Sequence, residues 1–195
     1  IADWQLLADL SFADLILWVP IRKDISMWPT GHIAVAHIRP TTTSTVFIND
    51  VIGDEVLWGA KPAIDEALSG DEIVKSSDPE KIGEMLVKAE TIPVTFEGQV
   101  IAVISSHRNV EHSRGSGKLE TNYREVAQHL YNMVAQGSFP YKDAGTLFEP
   151  VPRVGDGLIR LDANSAISFA SPNAKSAFSR MGWRGDLEGR NLGEV

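Results

Sequence analysis

The most regular hydrophobic pattern in the chain lies between residues 116 and 136. Apolar side chains recur there at intervals of four, three, four and three residues, at Leu119, Tyr123, Val126, Leu130 and Met133. This spacing predicts a helix with one continuous apolar seam, which packs on a sheet or pairs with a second copy of itself. Gly137 predicts a left-handed stop, and Pro140 prevents the helix from resuming.

Before this helix, the apolar positions predict short helices and a series of strands. The first helix begins at Asp3, which can cap its N-terminus. Residues 49–70 are predicted to be helical, with Pro62 in a first turn and Gly70 as the stop. The predicted strands cover residues 15–19, 32–39, 45–48 and 72–76.

A hairpin is the clearest strand signal in the chain. Apolar residues alternate with polar ones on both sides of Glu97-Gly98, a dipeptide that favours a tight turn. The alternating residues are Ile92, Val94, Phe96, Val100, Ala102 and Ile104. The pattern predicts two adjacent antiparallel strands, so the expected fold class is α+β, an antiparallel sheet with flanking helices.

The chain changes character after the long helix. Residues 138–154 contain three prolines and are predicted to form a linker of limited flexibility. Residues 155–195 resemble the start of a larger domain, and this resemblance implies only two strands, at 156–162 and 167–170, and one helix, at 172–178. Two strands and small helices do not bury a self-sufficient core. We expect this second unit to pack on the first domain, residues 1–137, or on another copy, or to continue into further strands.

Composition and charge narrow the function classes. The net charge of −8 opposes binding to nucleic-acid phosphates or anionic lipids. The absence of cysteine excludes disulfides, thiolate zinc sites and cysteine-based redox catalysis. Every apolar run is far shorter than the ~20 residues of a membrane helix. We therefore expect a cytoplasmic protein with no direct nucleic-acid or membrane partner, and the start at Ile1 within a helical pattern suggests a piece of a longer protein.

Two segments resemble known sensory domains. The hairpin segment IPVTFEGQVIAVISSHR resembles the central hairpin of a GAF domain, and GDGLIRLDANSAISFASPNAKSAFSRMGW, residues 155–183, resembles the start of a PAS domain. With the opening WQLLADLSFADLILWV, this order is similar to the N-terminal sensory region of soluble two-component sensor histidine kinases of the PdtaS type. The resemblance implies a GAF-like domain at 1–137, a linker at 138–154 and the N-terminal part of a PAS-like α/β domain at 155–195.

The resemblance also implies a function. In that family, a phospho-acceptor domain and an ATP-binding domain follow the sensory region, use ATP and Mg²⁺, and pass the phosphoryl group to a response regulator with an RNA-binding antiterminator output. Neither domain lies in these residues, so we expect no catalytic site or cofactor here. The expected function is signal input in a homodimer that pairs through the seam of the long helix. A ligand-free scaffold that only dimerises the kinase is the alternative, whereas a GAF-fold methionine sulfoxide reductase is excluded because there is no cysteine.

The resemblance also implies a binding site for a small molecule. GAF domains bind small molecules between the sheet and its long crossing loops. The candidate ligand-binding residues are Trp28, Trp58, Phe47 and His37, with Trp18 as a further aromatic side chain nearby. Core packing is the ordinary use of such aromatic residues, and a cavity beneath residues 49–70 would distinguish a sensor from a scaffold.

The five histidines do not predict a catalytic or metal centre. His129 lies on the long helix and is not interpreted as a phospho-acceptor, because the residues after it offer no carboxylate or cation to orient its ring. His32 and His37 are an odd number of residues apart, which places them on opposite faces of a regular strand and leaves a single metal or haem contact from His37 open. His107 and His112 are expected in an exposed polar loop.

Two further features have simple interpretations. The acidic pairs are Asp54-Glu55, Asp65-Glu66 and Asp71-Glu72. Adjacent residues on a helix or strand point apart, so these pairs predict solvated surface more than a cation site or an acid/base pair. Residues 115–117 precede a helix but lack the glycine spacing of a phosphate-binding loop. No metal ligands and no catalytic residues are therefore assigned from the sequence.

Overall fold

The computed structural model describes residues 4–24, 26–111, 117–139 and 152–195. Asp3, His112, Pro140 and residues 115–116, on which parts of the sequence interpretation depend, lie outside these ranges.

An antiparallel sheet of seven strands forms the framework of the first unit. The strands are β1 (Asp14–Ile21), β2 (Gly31–Ile38), β3 (Glu55–Leu57), β4 (Val74–Lys75), β5 (Glu80–Ile82), β6 (Met85–Phe96) and β7 (Gln99–Asn109). In space they follow the order β3-β2-β1-β7-β6-β4, and β5 pairs with one end of β6. The predicted hairpin is confirmed: β6 and β7 pair along most of their length around Glu97 and Gly98, which both have positive φ.

Three helices cover the two faces of the sheet. They are α1 (Trp4–Ser11), α2 (Pro62–Gly70) and α3 (Lys118–Ala135). Because side chains alternate along a strand, Leu15 and Leu17 of β1 pack with α1 and α3, while Ile16 and Trp18 pack with α2. The α+β fold expected from the sequence is thus confirmed, and the central strand β1 is covered on both faces.

A small second unit packs against the first. It contains β8 (Ile159–Leu161), β9 (Ile167–Ala170) and α4 (Pro172–Arg180). Phe169 of β9 is buried in a cluster with Leu10 of α1 and Tyr123 of α3. Ser171 caps α4 by accepting a hydrogen bond from the Ala174 backbone N–H, directly before Pro172 at the first turn. The second unit therefore lies on the first, one of the arrangements expected for it.

Two predictions about the middle of the chain are wrong. Residues 45–48 form no strand, because the backbone there bonds to a buried carboxylate instead of a neighbouring strand. Residues 49–61 are not helical; they hold β3 and two turns, and the helix begins only at Pro62. That helix continues through Gly70, and Asp71, with φ of 53°, supplies the left-handed end. Aspartate tolerates this conformation better than most residues, so glycine was not required.

The long helix packs through a face slightly rotated from the predicted one. Its buried apolar residues are Tyr123, Ala127, Tyr131 and Val134. The predicted seam shares only Tyr123 with this set, since Leu119 is 40% exposed and Val126, Leu130 and Met133 are half-buried. Tyr131 replaces Leu130 at the core because its hydroxyl has a buried partner, the Ser106 side chain at 3.1 Å. Gly137 ends the helix with φ of 70°, as predicted.

Candidate ligand-binding cleft

A cleft of about 760 Å³ opens on the α2 face of the sheet. Its floor is formed by β1, one wall by residues 46–51, and the opposite wall by the turn between β5 and β6. Apolar groups make up most of the lining, and Ile16, Trp18 and Phe47 are among them. An apolar concavity of this size suits a small organic molecule.

The polar groups of the cleft include one cation. The ammonium of Lys61, the residue before α2, lies 4.8 Å from the centre of the Trp18 ring. Partial burial lowers the pKa of Lys61, and the carboxylates of Glu80 and Asp54 act in the opposite direction. Lys61 as a residue is exposed, so an acidic group of a ligand can reach its ammonium.

Asp14 fixes the wall that carries Phe47. Its carboxylate is completely buried and accepts hydrogen bonds from the Val46 backbone N–H at 2.7 Å and the Thr45 hydroxyl at 2.5 Å. It also accepts from His37 Nε2 at 3.0 Å. One side chain of β1 thereby holds both β2 and the loop at residues 45–47 in place. The loop's backbone donor is satisfied without a strand partner.

His32 and His37 lie on the same face of the sheet, so the prediction of opposite faces is wrong. The pairing of β1 with β2 skips one residue, Val35, because Leu17 pairs with Ala36 and Trp18 pairs with Ala34. Such a bulge reverses the alternation beyond it. Both histidines consequently face the α2 side.

The buried carboxylate of Asp65 joins α2 to the sheet. It lies 2.7 Å from His32 Nε2, which donates to it, and it also accepts a hydrogen bond from the Gly59 backbone N–H at 2.7 Å. The expectation that the Asp65-Glu66 pair is solvated is therefore wrong for Asp65. Trp58 stacks on the His32 ring at 5.4 Å, and Trp28 meets Trp58 edge-on at 5.0 Å.

His107 lies on β7 and not in an exposed loop, which corrects the expectation for this residue. Its ring contacts Phe47 edge-on at 4.9 Å, and its Nε2 is 2.9 Å from the Ser105 hydroxyl. Burial lowers the pKa of His107 to about 3, with smaller contributions from Lys61 and His37. The imidazole behind the cleft wall is therefore neutral at physiological pH.

The neutral state of His107 predicts a pH dependence of stability. The folded pKa of about 3 lies below the ordinary value of 6.5, so the unfolded chain binds the proton first as the pH falls. The contribution of neutral His107 to the free energy of unfolding is complete above about pH 6.5 and is lost progressively below it. We expect this residue to lower the free energy of unfolding by about 2 kcal/mol between pH 7 and pH 5, measured by urea unfolding. His107→Gln should remove that part of the slope and exposed His129→Gln should not; equal slopes in the two variants would contradict the assignment.

Of the four residues predicted for ligand binding, only one lines the cleft. Phe47 lines the cleft, and His37 lies behind it, with ring centres 5.9 Å apart. Trp28 and Trp58 form an aromatic pair beside His32, and Trp28 is 67% exposed. Sequence reasoning missed Lys61, which carries no local signal beyond preceding a proline.

Sequence reasoning also missed Asp14 as a structural centre. In the sequence, Asp14 is only the residue that precedes an apolar run. A charged residue directly before an apolar strand is usually solvated, and no spacing rule reveals a partner more than thirty positions away, as Thr45 and Val46 are.

The described residues contain neither a cluster of metal ligands nor a membrane-spanning helix. Among residues 4–24, 26–111, 117–139 and 152–195, no group of three acidic, histidine or cysteine side chains is arranged to hold a metal ion. Within the same ranges, no helix has the length and apolar character needed to cross a membrane.

Comparisons with known proteins give a consistent result. A family model described as the GAF domain of histidine kinase PdtaS matches residues 1–127. Sensor histidine kinase PdtaS of Mycobacterium tuberculosis is 40% identical over 201 residues, covering 98% of this chain and 38% of that protein. Its namesake in Mycolicibacterium smegmatis is 37% identical over 195 residues, with the same coverage. The chain thus spans less than two fifths of the length of these relatives.

One solved structure is similar over almost all of the chain. It is described as the sensor region of a sensor histidine kinase, with a TM-score of 0.78 and 40% sequence identity. The alignment covers 98% of this chain and 64% of that one. The likeness therefore extends beyond residues 1–127, which the family model matches, into the second unit.

Proposed function

The chain belongs to the PdtaS family of sensor histidine kinases, of which it is a sensory input region, and we propose on this premise that its cleft binds the signal molecule. The observation that carries the proposal is the apolar cleft beside the Lys61 ammonium. The ligand is a small molecule with an apolar or aromatic part against Trp18 and Phe47 and an acidic group facing Lys61.

A continuous set of contacts connects the cleft with the long helix. Trp18, on the cleft floor, donates a hydrogen bond from Nε1 to the Ser105 hydroxyl at 2.8 Å. The next residue of β7, Ser106, faces the other side of the sheet and bonds to Tyr131 of α3. A ligand that shifts Trp18 therefore acts on α3 through two adjacent residues of one strand. If it binds one arrangement of α3 more tightly, it biases that arrangement.

The kinase reaction that this change in α3 would control is carried out by domains outside these residues. We propose that a cytoplasmic homodimer pairs through α3, and that its kinase domains use ATP and Mg²⁺ for autophosphorylation. The phosphoryl group then passes to a response regulator with an RNA-binding antiterminator output. The second unit, which the sequence assigns to the start of a PAS-like domain, transmits the state of α3. The alternative, a ligand-free scaffold, gives no role to the cleft or its cation.

Native mass spectrometry of the purified 195-residue chain tests the proposal. We expect a reproducible mass increment from a retained ligand. Lys61→Gln should weaken the affinity for the ligand by about ten- to a hundredfold, and thereby lower the occupied fraction, because a hydrogen bond to a charged group contributes roughly 1.5–3 kcal/mol. The matched control is Lys23→Gln, an exposed lysine before β2, which should retain the increment. A doubled mass would support the homodimer. A bare mass in the wild type, or equal loss in both variants, would favour the scaffold.

A further inference from the structure

The seam of α3 is only partly covered by its own sheet. Tyr123 is the one seam residue that belongs to the buried face of the helix. Leu119 is 40% exposed, and Val126, Leu130 and Met133 are half-buried. Apolar residues at this spacing form the contact when two helices pair. The seam therefore gives α3 a second apolar face beside the one that packs on the sheet.

The second unit lies along the N-terminal part of this seam. Its contacts with α3 include the edge-on rings of Phe169 and Tyr123 and the ion pairs Arg160–Glu125 and Lys118–Glu188. On the helix, these contacts fall within residues 118–125, the stretch that also holds Leu119. Val126, the next residue, packs against the buried cluster that Phe169 shares with Tyr123. The second unit thus covers the first two turns of the seam.

A second copy of α3 cannot pack along the whole seam while the second unit is there. Paired helices lie with their axes about 8–10 Å apart, and each seam residue inserts between residues of the facing helix. Such a partner needs open space over Tyr123 and Val126. The ring of Phe169 fills the space over Tyr123, with ring centres 6.3 Å apart. Pairing along the whole seam therefore requires the second unit to leave α3.

The contacts that hold the second unit on α3 are weak enough to permit release. Its ion pairs with α3 are substantially exposed, and exposed pairs contribute little to stability. The buried apolar contact is that of Phe169, which is 4% exposed, with Val154 and Leu158 packed against the same cluster. Docked and released arrangements are thus two states, and a change in α3 that weakens the Phe169 contact favours release.

We propose that docking of the second unit on α3 is an autoinhibitory contact, which blocks pairing of two chains through the seam until the unit is released. This inference rests on the homodimer of the proposed function and adds what controls it. Tyr131, which bonds to Ser106 on the route from the cleft, lies about two turns from Tyr123 on the same helix. A shift of α3 that begins at the cleft therefore reaches the contact with Phe169.

Sedimentation equilibrium of the 195-residue chain over a series of concentrations tests the proposal. Phe169→Ala should pair at least tenfold more tightly than the wild type, because the apparent affinity is reduced by the fraction of chains that are competent to pair. Met181→Ala, which truncates a side chain that is 72% exposed, is the matched control and should pair as the wild type does. Adding Leu119→Glu to Phe169→Ala should abolish the gain, since Leu119 is an exposed residue of the seam.

A chemical link between the two units provides the converse test. The chain has no cysteine, so Lys118→Cys combined with Glu188→Cys supplies its only two thiols. The ends of these two side chains are 3.2 Å apart, and a short bismaleimide can join the residues that replace them. The linked chain should remain monomeric, whereas the same double variant without the link should pair at least as tightly as the wild type. This comparison decides the question if Phe169→Ala fails to fold, as judged by circular dichroism.

The outcomes separate this proposal from the homodimer on which it rests. A linked chain that pairs as tightly as the unlinked one overturns the autoinhibitory contact and leaves the homodimer intact. Equal pairing of Phe169→Ala and Met181→Ala does the same. A chain that stays monomeric in every variant overturns both the contact and the homodimer. None of these results affects ligand binding at the cleft, which the mass increment tests.

Discussion

Asp14→Ala is expected to lower the free energy of unfolding by about 3–5 kcal/mol, because several buried donors lose the carboxylate that accepts their hydrogen bonds. The substitution leaves the Val46 N–H and His37 Nε2 without this acceptor, and the Thr45 hydroxyl retains only the Phe47 carbonyl oxygen at 3.1 Å. Each lost hydrogen bond to a buried group costs about 1–3 kcal/mol before any relaxation. Urea unfolding followed by tryptophan fluorescence near pH 7.5 measures the change.

The matched control for this prediction is Glu66→Ala on α2, an exposed carboxylate whose removal should change stability by no more than about 0.5 kcal/mol. Asp14→Asn retains one acceptor oxygen but presents a donor to the second partner, so an intermediate loss is expected. Hydrogen exchange at the Val46 amide should accelerate in both Asp14 variants, because this N–H loses its acceptor. A stability of Asp14→Ala within 1 kcal/mol of the wild type would show that the loop has other anchors.

Phe169→Ala is expected to loosen the second unit from the first. The ring of Phe169 is 4% exposed and meets Tyr123 edge-on, with centres 6.3 Å apart. Deleting a buried phenylalanine side chain costs about 3–5 kcal/mol. If that energy holds the second unit in place, proteolysis within residues 155–195 should accelerate on the order of a hundredfold, while the first unit stays resistant.

Polar contacts do not replace this aromatic contact. Arg160 with Glu125, and Lys118 with Glu188 at 3.2 Å, are substantially exposed pairs that contribute at most about 1 kcal/mol each. The control variant is Met181→Ala, which truncates a side chain that is 72% exposed just after α4 and should leave the cleavage rate unchanged. Equal cleavage rates in Phe169→Ala and Met181→Ala would mean that the contact with Tyr123 does not hold the unit.

Local patterns predicted the elements whose signals lie close together in the chain. The β6–β7 hairpin follows from alternation around a two-residue turn, and α4 is expected from the resemblance of residues 155–183 to the start of a PAS domain. The family resemblance rested on such short segments too, and the comparisons agree with it over nearly the whole chain. Predictions failed where a single residue far away in sequence replaced the local preference, as Asp14 does for residues 45–47.

The candidate cleft was only partly predictable. Phe47 was identified as a lining residue, and the cavity was expected near residues 49–70, which matches the position of Val51, Asp54 and Lys61. The sequence did not reveal that Trp28 and Trp58 pair with each other instead, or that His37 supports Phe47 from behind. The direction in which a side chain points at a cavity depends on the path of the surrounding loops. The hydrophobic periodicity of the sequence does not predict that path.

The order of the amino acids was sufficient to establish the fold class, the hairpin and the long helix, because each depends on spacings of a few residues. The sensory family was identified through the resemblance of whole segments. Three features depended on the tertiary structure. The bulge at Val35 places His32 and His37 on one face, a buried partner selects Tyr131 over Leu130, and packing places Phe169 of the second unit on Tyr123. Each arises from groups brought together by the folded chain, and the energy of such contacts depends on burial that exists only after folding.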